Sequence, residues 1–400
     1  MPNMIAFGML AIWPMVTLVM FRRLPVEKAF IWAIVAGYLI LPPPPAGFDF
    51  PLLPAFNKDT IPSLSVFIIC FFMYGHRGSL LPETLLPRAV LGVFIFSPMF
   101  TVLTNGEPVF YGQVGIRGLG TTDMLALCML QFITVIPFLI ARKFLVDAAS
   151  QKEILKIFVF SGLAYSLLML IEIRLSPQLN TWIYGYFQHV FGQSVRFGGY
   201  RPLVFLYHGL WVALFAMTVV IAALSIAKAE AGKEKLMAYT ASAYMLVVLV
   251  LCKSMGSLLF AIFLIPVILI FKRNAQIKIA ALVGALAVGY PLLKGFDVVP
   301  VQWMLDQAAA VSAERSGSLK FRFELMERAM LKPLFGWGSW GRNHILDPVS
   351  GIILTVTDGR WIIAIGVYGW VGFLAEFGLL TLPIFMMWRE AKPSFGAEIT

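Results

Sequence analysis

The sequence predicts an all-α, polytopic integral membrane protein with about eleven transmembrane helices. Of its 400 residues, 60% are hydrophobic and only 13% are charged, and the mean hydropathy is +0.84. A soluble domain carries roughly 25% charged residues, because it needs them to cover its surface. The composition therefore excludes an ordinary soluble fold before any motif is considered.

Long apolar runs follow one another along the chain, and one membrane span consumes roughly 20 apolar residues. Backbone groups in lipid must form hydrogen bonds within their own segment, so these runs predict helices. We expect six helices in residues 1–171, four in 203–293, and one in 361–400 that is followed by a cytoplasmic tail. The runs cover residues 5–20, 26–41, 61–74, 89–103, 124–140, 154–171, 203–226, 237–252, 256–271, 277–293 and 361–388.

Lysine and arginine mark every second connection between these runs. Because cytoplasmic loops accumulate basic residues, the pattern predicts a periplasmic N-terminus and a cytoplasmic C-terminus in a bacterial inner membrane. The net charge of +10 follows the same bias, and no basic soluble segment favours a nucleic-acid partner. The marked connections lie around residues 22–28, 77–88, 142–156, 228–235, 272–278 and 389–392, whereas the other short connections hold only Lys58, Arg117 and Lys253.

The first long periplasmic loop is expected at residues 172–202, and it is rich in arginine and aromatic residues. Arg196 and Arg201 would lie on the side where the positive-inside rule does not place basic residues. Guanidinium forks match phosphate oxygens bidentately, so a lipid diphosphate is one candidate ligand. Binding of ordinary lipid head groups, or pairing with Glu172, explains the same residues without a specific site.

The second, larger periplasmic loop is expected at residues 294–360. Its apolar spacing predicts two helical stretches, at 301–314 and 318–332. Trp337 and Trp340 offer flat faces to sugar rings, although interfacial aromatic belts are an equally good explanation. The Gly366-x-x-Gly369 pattern at the start of the last span predicts close helix packing.

The order of these motifs resembles the O-antigen ligase and O-antigen polymerase family. Arg322 is followed by Pro-Leu-Phe-Gly-Trp-Gly at 333–338, and a polar residue precedes the Gly-x-x-Gly helix. The pieces Glu-x-Arg-x-Ser-Pro, at 172–177, and Gly-Gly-Tyr-Arg-Pro, at 198–202, are similar to those of polysaccharide polymerases of that superfamily. The resemblance extends over about residues 172–380.

The resemblance implies a metal-independent, inverting membrane glycosyltransferase that needs no cofactor. Such a protein takes a glycan from undecaprenyl diphosphate and passes it to another lipid-linked glycan or to lipid A-core, and a chain-length regulator is a further expected partner. Its products are exopolysaccharide, O-antigen and lipopolysaccharide. The diphosphate would be held by arginines, and a side chain near the acceptor hydroxyl would act as base. The implied diphosphate-binding residues are Arg196, Arg201, Arg315 and Arg322, and the implied glycan-binding residues are Trp337 and Trp340.

The sequence leaves two choices open. Ligases of this family carry a histidine roughly ten residues before the Gly-x-x-Gly, whereas here Asp358 takes that place and His344 lies further upstream. Either residue is a candidate base, and the difference favours a polymerase over a ligase. The alternative function is a transporter or flippase for anionic lipids or solutes. Such proteins carry ionisable residues within their spans, whereas the spans here are almost bare of charge and Glu376 is the clearest exception.

Overall fold

A computed structural model confirms the all-α, polytopic architecture: 71% of the described residues are helical, and they include 14 α-helices, with almost no sheet. The structure describes residues 1–400 except 76–78, 113, 197, 297, 312, 356–358 and 392–400, and only the backbone of 311, 313–315, 318 and 391. Eight helices of the described chain are long and apolar enough to cross a membrane. The protein is therefore a multi-pass membrane protein.

Each of the eleven predicted apolar runs coincides with a helix. Three of these helices are shorter than the other eight: α2 has 15 residues, α3 has 14 and α10 has 16. Three further helices, α7, α12 and α13, lie in the two long connections. The helices are α1 (Met4–Arg23), α2 (Val26–Ile40), α3 (Ile61–Tyr74), α4 (Leu85–Leu103), α5 (Thr121–Phe144), α6 (Ala148–Leu175), α7 (Leu179–Tyr184), α8 (Gly209–Ala229), α9 (Gly232–Leu251), α10 (Met255–Ile270), α11 (Arg273–Gly295), α12 (Val301–Val311), α13 (Ala313–Met330) and α14 (Arg360–Ala391).

Three short antiparallel hairpins and one 3-10 helix (Phe191–Ser194) complete the described secondary structure. The hairpins are β1 (Gly47–Phe48) with β2 (Phe56–Asn57), β3 (Val109–Tyr111) with β4 (Val114–Ile116), and β5 (Val195–Arg196) with β6 (Gly199–Tyr200). The chain divides into two compact units. The first unit comprises Met1–Pro51, Ala55–Leu80 and Ile133–Lys272, and the second comprises Leu52–Pro54, Leu81–Phe132 and Arg273–Thr400.

Helix α8 is the central helix of the first unit. It is apolar on all sides and 67% buried over its most apolar stretch, as expected for a helix surrounded by other helices. It packs against α6, α9 and α10. A Cβ atom at Gly162 of α6 would lie closer than 3.0 Å to the Val219 side chain of α8, so the glycine permits the close approach that drives helix association in lipid.

Helix α14 is the corresponding centre of the second unit, where it packs against α4, α11 and α13. A buried cluster joins α13 to α14 through Met326, Ala329, Ala364, Ile365 and Phe373. This contact holds α13, which carries two of the predicted site arginines, against a membrane-spanning helix.

The start of α14 departs from the predicted helix packing. At Gly369 the backbone has φ 66° and ψ −168°, so α14 consists of two helices joined by a break. The segment 333–338 fills this break: Trp337 N and Gly338 N donate to Gly366 O and Val367 O at 2.9 and 3.0 Å, while Trp370 N donates to Pro333 O at 2.7 Å. The two glycines therefore admit a loop rather than a neighbouring helix.

The ends of the predicted loop helices also differ from the structure. Helix α12 ends at Val311 and α13 already begins at Ala313, so the two helices follow each other almost directly. The apolar spacing alone suggested a longer first helix and a later start for the second. The polar residues at the start of α13, which gave no apolar pattern, nevertheless adopt helical geometry.

Candidate functional site

In the first unit, Glu172 organises the connection between α6 and α8. Its carboxylate is only 1% exposed and accepts hydrogen bonds from three backbone N–H groups. Oε1 accepts from Leu179 N at 3.0 Å, and Oε2 accepts from Leu203 N at 2.8 Å and Val204 N at 2.7 Å. These bonds occupy both carboxylate oxygens, so pairing with Glu172 does not explain the nearby arginines.

Arg201 lies in the segment that Glu172 holds in place, and it is only 8% exposed. Its Nη2 donates to Lys253 O at 3.1 Å, whereas its Nε is buried and has no hydrogen-bond partner among the described residues. Burial lowers the pKa of Arg201 from its ordinary value, and the positive charge of Arg196 lowers it further. A buried guanidinium with an unused donor is the arrangement that an anionic ligand would satisfy.

The β5–β6 hairpin brings two further cations close to Arg201. Arg196 pairs with Gly199 across the hairpin. A Cβ atom at Gly199 would lie closer than 3.0 Å to Lys253 Nζ, so the absence of a side chain there makes room for the ammonium group. Lys253 itself has φ 51°, a left-handed conformation that is unfavourable for a residue with a Cβ atom. We refer to Arg196, Arg201 and Lys253 as the hairpin cations.

In the second unit, Arg315 and Arg322 both belong to α13. The two positions are about two helical turns apart, so the helix places their Cα atoms on the same side. The Arg322 side chain is half-buried. The side chain of Arg315 lies outside the described part of the structure. The four predicted arginines thus divide into one pair in each unit.

His344 is one of the two predicted candidates for the base. It is half-buried, and its Nδ1 lies 3.0 Å from Thr355 O. The turn that carries it is closed by a bond from Ile345 N to Thr355 Oγ1 and by a bridge between Leu346 and Ile353. A carbonyl oxygen can only accept, so in the neutral ring Nδ1 carries the proton and the Nε2 lone pair is available as a base.

Asp358, the other candidate, lies outside the described residues. Neither its distance to His344 nor its surroundings therefore enter the geometry of the site. The choice between His344 and Asp358 as the base therefore stays a prediction.

The two predicted glycan-binding tryptophans have different surroundings. The Trp337 ring is covered by the guanidinium of Arg328, 4.3 Å from the ring centroid, and its Nε1 donates to Arg328 O at 2.9 Å. Trp340 is 53% exposed, with Arg117 at 5.7 Å from its centroid. Trp340 therefore presents the more accessible aromatic surface, whereas a cation already occupies a face of Trp337.

Several cationic residues near these positions were not predicted from the sequence. In the sequence, Lys253 is noticeable only as a rare basic residue in the connections that are poor in lysine and arginine. Arg328 and Lys332 are four residues apart immediately before Pro333, a spacing that places two side chains on one helix face and was the available signal. Arg342 carried no signal, because it bonds to backbone carbonyls of residues far away in the sequence.

Within the part of the chain that the structure describes, no group of three or more His, Cys, Asp or Glu side chains has a geometry that could hold a metal ion. The arrangement that stands out is cationic: Arg201 and Arg328 each have a buried Nε with no hydrogen-bond partner among the described residues. Comparison of the chain with protein-family models, with curated proteins and with solved structures found no match, so the argument for function rests on the chemistry of these residues.

Proposed function

We propose that the protein is a metal-independent, inverting glycosyltransferase of the bacterial inner membrane. It transfers a glycan from undecaprenyl diphosphate to a glycan acceptor on the periplasmic side, as an O-antigen or exopolysaccharide polymerase or as an O-antigen ligase that uses lipid A-core. The observation that carries the proposal is the buried Arg201 guanidinium beside Arg196 and Lys253, since its Nε has no hydrogen-bond partner among the described residues. The motif order from Arg322 to Gly369 supports the same reaction.

The reaction explains why cations would be needed around the departing diphosphate. The acceptor hydroxyl attacks the anomeric carbon, a new C–O bond forms, and the bond between that carbon and the diphosphate oxygen breaks. The transition state resembles an oxocarbenium ion, and negative charge accumulates on the departing diphosphate. Arginines placed at that oxygen stabilise the charge without a metal ion. In this proposal Arg196 and Arg201 bind diphosphate oxygens, and the resemblance assigns the same role to Arg315 and Arg322.

The acceptor hydroxyl must also lose its proton, which requires a base. The hydrogen bond between His344 Nδ1 and Thr355 O leaves Nε2 as an acceptor, which suits this role. Asp358 occupies the position that the family resemblance favours. The proton passes from the hydroxyl oxygen to one of these groups as the new C–O bond forms.

A transfer assay with full-length protein in proteoliposomes and an undecaprenyl diphosphate-linked glycan tests the proposal. Arg201→Ala should lower the transfer rate by roughly 10²–10³, as the loss of other charge-stabilising donors does, and Arg201→Lys should restore only part of it. Arg174→Ala removes an exposed arginine from the last turn of α6 and serves as the control. Absence of any glycan transfer by the wild-type protein, or full activity in folded Arg201→Ala protein, would contradict the proposal.

A second pair of variants identifies the base. His344→Gln and Asp358→Asn each remove basicity with little change of shape, so the true base should show a large loss of turnover and retained donor binding. If the two variants both keep near-normal turnover, neither residue is the base. A ladder of lengthened glycans as product identifies a polymerase, and a glycan attached to lipid A-core identifies a ligase.

One observation favours the alternative, a transporter for anionic lipids or solutes. Transporters often contain helices interrupted near the bilayer midplane, and α14 is interrupted at Gly369. Here, however, the segment 333–338 of the same chain fills the break and forms hydrogen bonds with its backbone groups. Glu376 is also paired, since its Oε2 accepts from Arg360 Nη2 at 3.0 Å. Uptake of a lipid-linked glycan by proteoliposomes without any transfer product would favour the transporter.

A further inference from the structure

Three cations of the second unit lie close to Trp337, two at its indole ring and one at its backbone carbonyl. Arg328 stacks on the ring at 4.3 Å, and Lys332 Nζ lies 5.0 Å from the ring centroid. Arg342 contacts two of these residues: its backbone carbonyl oxygen accepts from Arg328 Nη2 at 2.8 Å, and its side-chain Nε donates to Trp337 O at 3.1 Å. We refer to Arg328, Lys332 and Arg342 as the indole cations.

The indole cations are bonded almost wholly to neutral groups. Arg342 is 1% exposed and donates to the backbone oxygens of Trp337, Arg117 and Glu107. Lys332 Nζ donates to Thr104 O at 2.9 Å and Asn105 Oδ1 at 2.8 Å, which leaves one of its three donors. Carbonyl and amide oxygens satisfy hydrogen bonds but do not neutralise positive charge.

Arg328 likewise bonds only to neutral groups among the described residues. Its Nη2 donates to Tyr111 OH and Arg342 O, whereas its buried Nε has no partner among the described residues. Burial and the charge of Arg342 lower the pKa of Lys332, and only Glu107 opposes them. Three clustered cations with one nearby carboxylate leave a net charge of about +2, which is costly to keep out of bulk water without an anion.

A polar cavity opens beside these cations. Its volume is about 490 Å³, within the range of roughly 300–1,000 Å³ that is typical of small-molecule sites. Its wall is formed by residues 103–109, the connection after α4, together with Lys332, Trp337 and Arg342. Glu107 contributes the only carboxylate of this wall.

We infer that this cavity is a binding site for a phosphate-bearing group, and specifically for a diphosphate rather than a carboxylate. A diphosphate carries two or more negative charges on one compact group, which matches the excess charge of the indole cations, whereas a carboxylate carries only one. The inference rests on the proposed function for the source of the diphosphate. A polymerase acts on two lipid diphosphates, a donor and an acceptor. The arginines of the proposed reaction, Arg196, Arg201, Arg315 and Arg322, would hold the diphosphate of the donor, and this cavity would hold that of the acceptor.

Isothermal titration calorimetry on the purified full-length protein tests the site without relying on glycan transfer. Inorganic pyrophosphate is one probe, and farnesyl diphosphate, which carries the same head group on a short prenyl chain, is the other. Lys332→Met keeps the length of the side chain and removes its charge. We expect this protein to bind one pyrophosphate fewer per chain, or to bind it about tenfold more weakly, as expected for the loss of one charge-assisted hydrogen bond.

Two further variants make the result specific. Lys320→Met removes the same charge from an exposed position on α13 and should leave pyrophosphate binding unchanged. In the wild-type protein, Lys320 Nζ lies 3.8 Å from Glu324 Oε1. Glu107→Gln removes the opposing charge and should strengthen binding. Equal binding by Lys332→Met and wild-type protein, or equal weakening by Lys320→Met, would overturn the inference.

The two probes separate the source of the phosphate group. Tighter binding of farnesyl diphosphate than of pyrophosphate, with both sensitive to Lys332→Met, identifies a lipid head group. If Lys332→Met weakens the binding of pyrophosphate but not that of farnesyl diphosphate, the ligand is a free phosphate compound. A protein that binds both probes through Lys332 but never transfers a glycan retains this site and refutes only the proposed reaction.

Discussion

Replacing Gly369 by alanine should destabilise the second unit strongly. At φ 66° and ψ −168° the residue occupies a conformation that is essentially restricted to glycine. A Cβ atom there would lie closer than 3.0 Å to the carbonyl group of Leu334 and to Phe335 N, which are backbone atoms that cannot rotate away. Backbone strain and overpacking each cost about 1–3 kcal/mol, so we expect a loss of about 3 kcal/mol or more.

Thermal unfolding in detergent, followed by intrinsic tryptophan fluorescence, measures this loss. A change of this size should lower the apparent Tm by about 5–10 °C. Gly289→Ala is the matched control, because Gly289 lies inside α11 of the same unit, and a Cβ atom there would meet nothing within 4 Å. Alanine at a helical glycine should leave stability unchanged or raise it by up to about 1 kcal/mol.

The comparison of the two variants decides the question. If Gly369→Ala and Gly289→Ala proteins unfold at the same temperature, the segment 333–338 does not press against the break in α14, and our account of this contact is wrong. A fall confined to Gly369→Ala supports it. Gly336→Ala offers an independent check, since a Cβ atom at Gly336 would lie closer than 3.0 Å to Val367 O and Gly369 N from the other side of the contact.

Three further predictions concern charge and orientation. Burial lowers the pKa of Lys58 to about 7. Between about pH 10 and pH 7 the unfolded chain therefore takes up a proton that the folded chain does not, so the free energy of unfolding should fall as the pH drops through this range. In thermal unfolding, Lys58→Met should flatten this pH dependence, and Lys320→Met should not. A single cysteine at Ser350 should react with an impermeant thiol reagent in intact spheroplasts and one at Ala231 should not, and the reverse pattern would refute the orientation. Arg322→Ala should lower glycan transfer by roughly 10²–10³, and full activity at normal protein levels would remove Arg322 from the site.

The membrane-spanning helices could be predicted because lipid imposes a simple rule on the backbone. An apolar run of sufficient length must satisfy its own hydrogen bonds, and helices are the solution available to a single segment. This rule also predicted the short helix α10 correctly, although its apolar stretch has only 16 residues. It could not predict the break at Gly369, since a glycine in an apolar run is equally compatible with an unbroken helix.

The candidate sites were less predictable, because they depend on contacts between distant segments. Arg201 was found from its motif, but its buried Nε and its bond to Lys253 O join residues 52 positions apart in the chain. Arg342 is held by the carbonyls of Glu107 and Arg117, and no local pattern announces such a partner. The role of Glu172 was also hidden, since its sequence context suggested an ion pair and its carboxylate instead accepts from backbone N–H groups.

The contact between the segment 333–338 and α14 has a consequence for how the protein is made. Beside Gly369, the carbonyls of Gly366 and Val367 and the N–H groups of Trp370 and Val371 find their partners only in that segment. A backbone group that is kept from water without a partner costs several kcal/mol, so the broken helix is unfavourable until the segment docks. The segment precedes α14 in the chain and is synthesised first. We therefore expect α14 to enter the bilayer as a straight helix and to bend only when it docks, which makes the final shape of this helix a product of assembly rather than of insertion.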